Sequence, residues 1–283
     1  MTVAIYPNFQ KTNALECTRA VCDILHGDGF EVRADEKHRE QLHDKEYVQF
    51  GSFAEFVGSA DFAVAVGGDG TILKCAGHLG SNTKLLGINA GRLGFMSSLE
   101  YSELKELSRL AKGDYKVSRR MTLDAVLHKE NGTVKGNALN DVIMSSAYLK
   151  ICDFSVYIDG EFFSSYRADG IAFSTPTGST AYSLSAGGPI IEPELDAIEM
   201  TLLCPHSLYA RPMLFSPHRT LCVKLGRKKD AAVYMSIDGG EPLQVNCGDS
   251  VEIKRAEKII NLIDLKKNMF YEAVSSKLIS GGV

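Results

Sequence analysis

Five apolar residues, Phe62-Ala63-Val64-Ala65-Val66, lead directly into Gly67-Gly68-Asp69-Gly70-Thr71, and a helix-like stretch follows from Ile72 to Leu79. A short apolar run bounded by glycines reads as a buried strand, so the segment predicts a strand, a tight turn and a helix start. That unit constrains the fold more than any other stretch, because strand and helix alternating in this way build a parallel sheet with crossover helices. At the turn, Gly67, Gly68 and Gly70 can take backbone angles closed to other residues and let a ligand approach the main chain. The first N–H groups of a helix lack intrahelical partners, and with the helix dipole they favour phosphate. Asp69 is the odd member. A carboxylate among phosphates repels them unless it carries a proton, holds a cation or removes a proton from a hydroxyl. No Gly-Lys-Ser/Thr follows, so the turn is not a P-loop, and the G-x-G-x-x-G spacing of dehydrogenases is absent. By itself the pentapeptide is equally an ordinary turn.

The flanking sequence extends the pattern. Val3–Tyr6 reads as a first strand. Asn13 with Glu16 three positions later resembles a capping box, and Ala14, Cys17, Val21, Ile24 and Leu25 recur at helical spacing until Gly27 and Gly29. Phe30–Val32 and Lys84–Asn89 read as further strands, and the charges of Asp35 to Lys45 as a solvated helix or loop. In such a sheet, ligands bind at the carboxyl ends of the strands, which places Gly67–Thr71 and Asn89–Gly94 at the site. Leu99 to Leu110 reads as a surface helix with one buried stripe, Ser98 or Ser102 capping it.

After Gly113 the pattern changes to alternation and tight turns: Met121–Leu127, a Glu130-Asn131-Gly132 hairpin, Phe154–Ile158 into Asp159-Gly160, then short strands at Ile171–Ser174, Leu202–Cys204, Leu221–Leu225, Val233–Ile237 and Ser250–Lys254. The expected architecture is α+β overall. An α/β domain with a parallel sheet spans residues 1–118 and a β-rich sandwich spans 119–264, with the tail, about 265–283, returning to the first domain.

Composition narrows the function classes. The 283 residues are 45% hydrophobic with a formal net charge of -4 and a pI near 6.0. This supports a full core and offers no general attraction to nucleic acid or anionic lipid, so an anionic ligand must be drawn by a local site. No apolar run approaches the roughly 18 residues of a membrane span, and the N-terminus reads as a strand rather than a signal peptide, so a cytoplasmic location is expected. Seven scattered cysteines, never spaced C-x-x-C, read as reduced thiols, and seven histidines form no metal pattern.

A second motif lies in the β-rich half, Ser174-Thr175-Pro176-Thr177-Gly178-Ser179-Thr180-Ala181-Tyr182-Ser183-Leu184-Ser185-Ala186-Gly187-Gly188. It is a strand end, a Pro-Thr-Gly turn and a helix start crowded with hydroxyls that can donate to ribose, phosphate or a base edge. Tyr182 offers a flat face for an adenine and Ala181 is small enough to let a ring lie against the backbone. An over-rich helix cap with Tyr182 in the core is the plain alternative.

Taken together, GGDGT at Gly67–Thr71, LGF at Leu93–Phe95, Asn140-Asp141 in NALNDV, ADG at Ala168–Gly170 and STPTGSTAYSLSAGGP at Ser174–Pro189 resemble the NAD kinase family from end to end. The resemblance implies a Rossmann-like α/β domain of the phosphofructokinase and diacylglycerol-kinase type followed by a β-sandwich domain, with the dinucleotide in the cleft between them. It implies transfer of a phosphoryl group from ATP or polyphosphate, with Mg²⁺ or another divalent metal, to the 2′-hydroxyl of the adenosine ribose of NAD. It also implies a homo-oligomer, dimer or tetramer. Asp69 looks like the general base. Gly67, Gly68, Gly70 and Thr71 form the phosphate-facing turn. Asn140 and Thr180 resemble residues that hold the adenosine part, with Tyr182 beside the adenine. Thr177 and Ser179 belong to the same hydroxyl-rich turn. Asp141 stands where an acidic residue contacts ribose hydroxyls; the commoner form is Asn-Glu, so the carboxylate here is one methylene shorter. Asp169 and Ala181 resemble the pair that receives the nicotinamide end, with Ser185 nearby, and Asp238 sits where the family reaches a neighbouring subunit's site. Arg92 and Arg167 suit phosphate by their guanidinium chemistry. Two rivals share features of this pattern: a diacylglycerol-type lipid kinase, which has a GGDGT turn, and a non-catalytic dinucleotide sensor.

Overall fold

The computed structural model describes every residue except 92–93, 148–149, 227–231, 268 and 280–283. The expectations for Arg92 and for Leu93 of the LGF motif therefore lie outside the described residues. The chain divides into one unit of Met1–Arg119 with Ile260–Val283 and another of Arg120–Ile259.

The first unit is built on β1 (Thr2–Pro7), α1 (Ala14–Gly27), β2 (Glu31–Asp35), β3 (Gln49–Gly51), α2 (Phe53–Phe56), β4 (Phe62–Gly67), α3 (Asp69–His78), β5 (Lys84–Asn89) and β6 (Leu99–Glu100). Its strands lie in the order β5-β4-β1-β2-β3, with β6 beside β5, and every pairing is parallel. Residues Asn261 and Leu262 pair in parallel with Lys84 and Leu85 on the outer side of β5. β4 is buried at every position, which is why it reads as a continuous apolar run instead of an alternating one. Val64 and Val66 share a core with Val21 and Leu25 of α1 and with Ile263 and Leu265 of the returning tail.

Two local expectations change. Asn13 precedes α1 but its side chain makes no capping bond. The preceding turn fixes the helix start instead, through Ala14 N–H to the Lys11 carbonyl and Cys17 N–H to that of Asn13. The stretch after β6 is a 3-10 helix, Tyr101–Arg109, that buries Leu104 and Leu107. Its start is held by Glu103, which accepts from Glu100 N–H at 3.0 Å, while Ser98 accepts from Leu265 N–H at 2.7 Å and so ties the tail down.

The second unit contains all but the start of β7 (Lys116–Lys129), then β8 (Gly132–Ala138), β9 (Asp141–Ser146), β10 (Cys152–Ile158), β11 (Glu161–Ala168), β12 (Gly170–Ser174), α4 (Tyr182–Ser185), β13 (Ile198–Leu203), β14 (Met213–Phe215), β15 (Leu221–Leu225), β16 (Val233–Ile237), β17 (Leu243–Val245) and the first part of β18 (Ser250–Asp264). One antiparallel sheet runs β14-β13-β12-β9-β16-β17; the other carries β11-β10-β15-β18, with β7 joined to β18 and β8 to β7. Side chains from both, among them Val142, Met144, Phe154, Val156, Ile171 and Phe173, fill one core. Alternation along β10, buried at Cys152, Phe154 and Val156 and half-exposed between, is the signature of a sheet with one face in that core.

Candidate functional site

In the first unit the strand order reverses between β1 and β4, since β2 and β3 lie to one side and β5 to the other. Such a switch point opens a crevice at the carboxyl ends of its two central strands. Gly67 ends β4 there, in register with Asn89 at the end of β5, and Asn8, just past β1, donates to Thr71 Oγ1 at 3.4 Å. Thr71 is buried and its hydroxyl accepts from Gly68 N–H. Gly67 is required by packing, because a Cβ there would fall 2.2 Å from Thr71 Oγ1.

Asp69 begins α3 and its carboxylate is clamped. Phe95 N–H donates to Oδ2 at 2.8 Å and Met96 N–H to Oδ1 at 3.2 Å. A Cβ on Gly94 would lie 1.8 Å from Oδ1, so that position must be glycine for the carboxylate to sit where it does. Each oxygen keeps a lone-pair direction beyond the one the backbone uses. Asp69 is thus fixed in direction yet still able to accept a proton, and the Gly94–Met96 turn is the partner that sequence reasoning did not identify.

The second unit joins the Asn-acid pair, the PTGST turn and the Asp-Gly-Gly hairpin. Asp238 lies at φ 52 and Gly239 at φ 67, a left-handed pair at the hairpin tip. Its carboxylate turns inward and accepts three consecutive backbone N–H groups, Leu139 at 2.7 Å, Asn140 at 2.8 Å and Asp141 at 3.0 Å. Both oxygens are engaged in holding the Asn140-Asp141 turn, so within the chain Asp238 positions the turn. From the other side, Thr175 N–H donates to the Asn140 carbonyl at 2.9 Å and Thr175 Oγ1 to that of Leu139 at 2.5 Å. Gly178 approaches so closely that a Cβ would lie 2.1 Å from the Asn140 carbonyl oxygen.

The outcome is a pair of buried functional groups on a rigid base. Asn140 Oδ1 is buried and has no hydrogen-bond partner, an acceptor whose satisfaction calls for an incoming N–H or O–H donor. Asp141 is 5% exposed and accepts from Tyr182 backbone N–H. Burial first, and then the negative charge of Asp238, push its carboxyl up to about 7, against the pull of the Tyr182 N–H. Asp238 is likewise pushed up by burial, opposed by its three backbone donors. Tyr182 itself is 51% exposed, its ring facing solvent and not the core.

The remaining expected residues are placed as follows. Thr177 is buried and accepts from Arg120 Nη1 at 3.4 Å. Ser179 is fully buried, donating to the Pro176 carbonyl at 2.7 Å and accepting from Ile191 N–H at 3.0 Å, so it braces the turn from within. Thr180 donates to the Thr177 carbonyl at 3.3 Å, Ala181 caps α4 and Ser185 is exposed. Asp169 stands at the corner before β12, its backbone tied to Ser146 and Leu203. Arg167 makes a cross-strand ion pair with Asp153 at 3.4 Å. Among the described residues no group of three or more His, Cys, Asp or Glu is placed to hold a metal ion, and no helix is long and apolar enough to cross a membrane.

Comparison with known proteins covers both units. Residues 3–115 match the ATP-NAD kinase N-terminal domain and residues 139–265 the ATP-NAD kinase C-terminal domain. An NAD kinase of Caldanaerobacter subterraneus subsp. tengcongensis is 34% identical over 281 residues, 98% of each chain. One of Geotalea daltonii is 39% identical over 223 residues, 77% of this chain and 78% of its own. Yeast NADH kinase, solved in complex with NADH, superposes with a TM-score of 0.90 at 28% identity, over 100% of this chain and 88% of its own. An Archaeoglobus fulgidus NAD kinase shares the fold, with a TM-score of 0.70 at 23% identity over 100% of both chains.

Proposed function

This chain belongs to the NAD kinase family, and we propose that it transfers the terminal phosphoryl group of ATP, or of inorganic polyphosphate, to the 2′-hydroxyl of the adenosine ribose of NAD. The observation that carries this reading is Asp69, a carboxylate held at the start of α3 beside a glycine turn at the sheet's switch point. A ribose hydroxyl is a poor nucleophile, so phosphoryl transfer to it calls for in-line positioning, charge neutralisation and a proton acceptor. Asp69 takes the proton. Within the Gly67–Thr71 turn the Gly68 N–H goes to Thr71 Oγ1 and the Thr71 N–H to the Gly68 carbonyl, so the Asp69 and Gly70 N–H groups and the helix dipole face the donor's phosphates.

The second unit supplies recognition. Asn140 Oδ1 accepts from the adenine amine, Asp141 from ribose hydroxyls, and the Tyr182 ring stacks on the base. Thr177 and Thr180 line the same turn, and Asp169, Ala181 and Ser185 meet the nicotinamide end. The NADH bound by the yeast relative supports a dinucleotide as the acceptor. A divalent cation fits this chain as a passenger on the donor's phosphates, because the described residues form no acidic cage for a resident ion. When bound it neutralises the phosphates' charge. We further place the enzyme in the cytoplasm as a homo-oligomer; Leu208 and Tyr209, 88% and 90% exposed, offer apolar surface for a partner copy.

The test is mass spectrometry of NAD incubated with the purified chain, Mg²⁺ and either ATP or polyphosphate. A product heavier by one phosphate, absent without NAD, is expected. Binding of NAD without turnover on either donor would replace the kinase reading with a sensor.

A further inference from the structure

Glu199 is a fully buried carboxyl on β13 to which the reaction above assigns no role. A charge in an apolar strand is expensive to bury unless it is well hydrogen-bonded, and this one has three hydroxyl donors. Ser174 Oγ donates to Oε2 at 3.3 Å, Ser183 Oγ to Oε1 at 2.6 Å and Thr201 Oγ1 to Oε1 at 2.9 Å. Ser183 Oγ and Thr201 Oγ1 lie 3.0 Å apart, so either hydroxyl can turn its single proton from the carboxyl to the other.

The positions of these partners matter more than their number. Ser174 ends β12 and is in register with Glu199, so it marks where the PTGSTAYS segment leaves the sheet. Ser183 lies in α4, next to exposed Tyr182. Gly188 ends the segment, and a Cβ there would lie 2.1 Å from Glu199 Oε1 and 2.3 Å from Ser183 Oγ. One carboxyl therefore touches the start, the helix and the exit of a segment that carries half-buried Thr180 and Ala181 and exposed Tyr182.

We propose that Glu199 is a positioning residue for the dinucleotide, fixing the Ser174–Gly188 segment from beneath so that Tyr182 and the neighbouring hydroxyls present one binding geometry. The proposal rests on the assignment of that segment to NAD binding. Its reach is selective: it acts on acceptor binding and leaves the phosphate-facing turn of the other unit untouched. Glutamine preserves the shape, and its amide can bond the same hydroxyls, because serine and threonine serve as donor or acceptor. Leucine leaves three buried hydroxyls without their acceptor.

The experiment compares Glu199→Leu, Glu199→Gln and Ser183→Ala by steady-state kinetics in both substrates and by hydrogen exchange across residues 174–188. Glu199→Leu is expected to raise KM for NAD about tenfold, with kcat and KM for the phosphoryl donor within about twofold. Its exchange across the segment should quicken, while Glu199→Gln stays near wild type. Ser183→Ala, which removes one of the three bonds, should show a smaller change in the same direction and serves if the leucine variant does not fold. Unchanged exchange in the folded variants would overturn the proposal. So would faster exchange with KM for NAD unaltered, or an equal loss in every kinetic constant. If the wild type fails to phosphorylate NAD, the functional assignment falls, whereas the exchange comparison still decides whether Glu199 holds the segment.

Discussion

Replacing Asp238 by asparagine isolates the clamp on the Asn140-Asp141 turn. The carboxylate accepts N–H groups at 2.7, 2.8 and 3.0 Å, one on Oδ2 and two on Oδ1. An amide of the same shape can keep its oxygen on the pair from Asn140 and Asp141. Its NH₂ then meets Leu139 N–H, donor against donor. Leaving one buried N–H unpaired costs roughly 1–3 kcal/mol, and the two surviving bonds lose their charge assistance. Removing a buried charge, and its repulsion of Asp141, offsets part of that loss. A net loss of about 2 kcal/mol is expected, which lowers Tm by about 3–4 °C in a chain of this size. Because the same turn presents Asn140 and Asp141, KM for NAD should rise several-fold. The midpoint of Asp141 should fall below about 7, since Asp238 is the second cause holding it up and burial, the larger, remains. Thermal melts, NAD saturation curves and the pH dependence of NAD binding check the three effects. A variant with wild-type Tm and KM would refute the view that this carboxylate holds the turn.

Asp69→Asn should lose about a hundred- to ten-thousandfold in turnover while still binding NAD, the range for loss of a general base. Its amide also sets an NH₂ against Phe95 or Met96 N–H, so hydrogen exchange at Gly94–Met96 should quicken in parallel; near-normal NADP formation would exclude Asp69 as base. Asp141 has a folded pKa of about 7 against an ordinary 3.8, so the fold favours its protonated form. That contribution to stability is fully present below about 3.8 and is lost as pH rises through about 7, and melts of Asp141→Asn should show a flatter dependence across the window. NAD affinity should move oppositely, strengthening above about 7 as the carboxylate becomes a better acceptor for ribose hydroxyls. Gly178→Ala drives a Cβ to 2.1 Å from the Asn140 carbonyl oxygen and should cost about 1–3 kcal/mol by overpacking, read as a lower Tm together with weaker NAD binding.

The first unit was legible because its elements obey local rules. Continuous burial made β4 a continuous apolar word, and the glycines after it marked the turn that the switch point needs. The antiparallel unit was legible from alternation and from turns such as Asp238-Gly239, whose left-handed backbone suits those residue types. What stayed hidden was long-range. Asp238 reads as a hairpin residue, and nothing near it in sequence says that its carboxylate reaches back about a hundred positions to Leu139–Asp141. The Gly94 requirement is equally silent, since it comes from Asp69 lying against it in space. Glu199 did leave a trace, a single acidic residue inside Ile198–Leu203, an otherwise apolar strand apart from Thr201. That pattern marks a buried polar network, and its partners are spelled out in the hydroxyl-rich segment preceding it. The expected capping box at Asn13 failed for the opposite reason, a local motif overruled by the backbone turn before it.

The return of the chain to the first unit after Ile259 sets an order of events during synthesis. Leu262 beside Leu85, Leu265 on Ser98, Lys266 on Glu103 and the Arg109 guanidinium on the Leu265 carbonyl are all contacts made by residues translated after the antiparallel unit. The amino-terminal half therefore leaves the ribosome with β6 on the Ile88–Asn89 end of β5 but nothing on the outer side of Lys84–Leu85, which closes only after the whole antiparallel unit has been made. Truncation after Ile259 is thus a lesion in the domain that carries Asp69. An exposed edge strand waiting for its neighbour is also the place where chaperones, or a second nascent chain, have their opportunity.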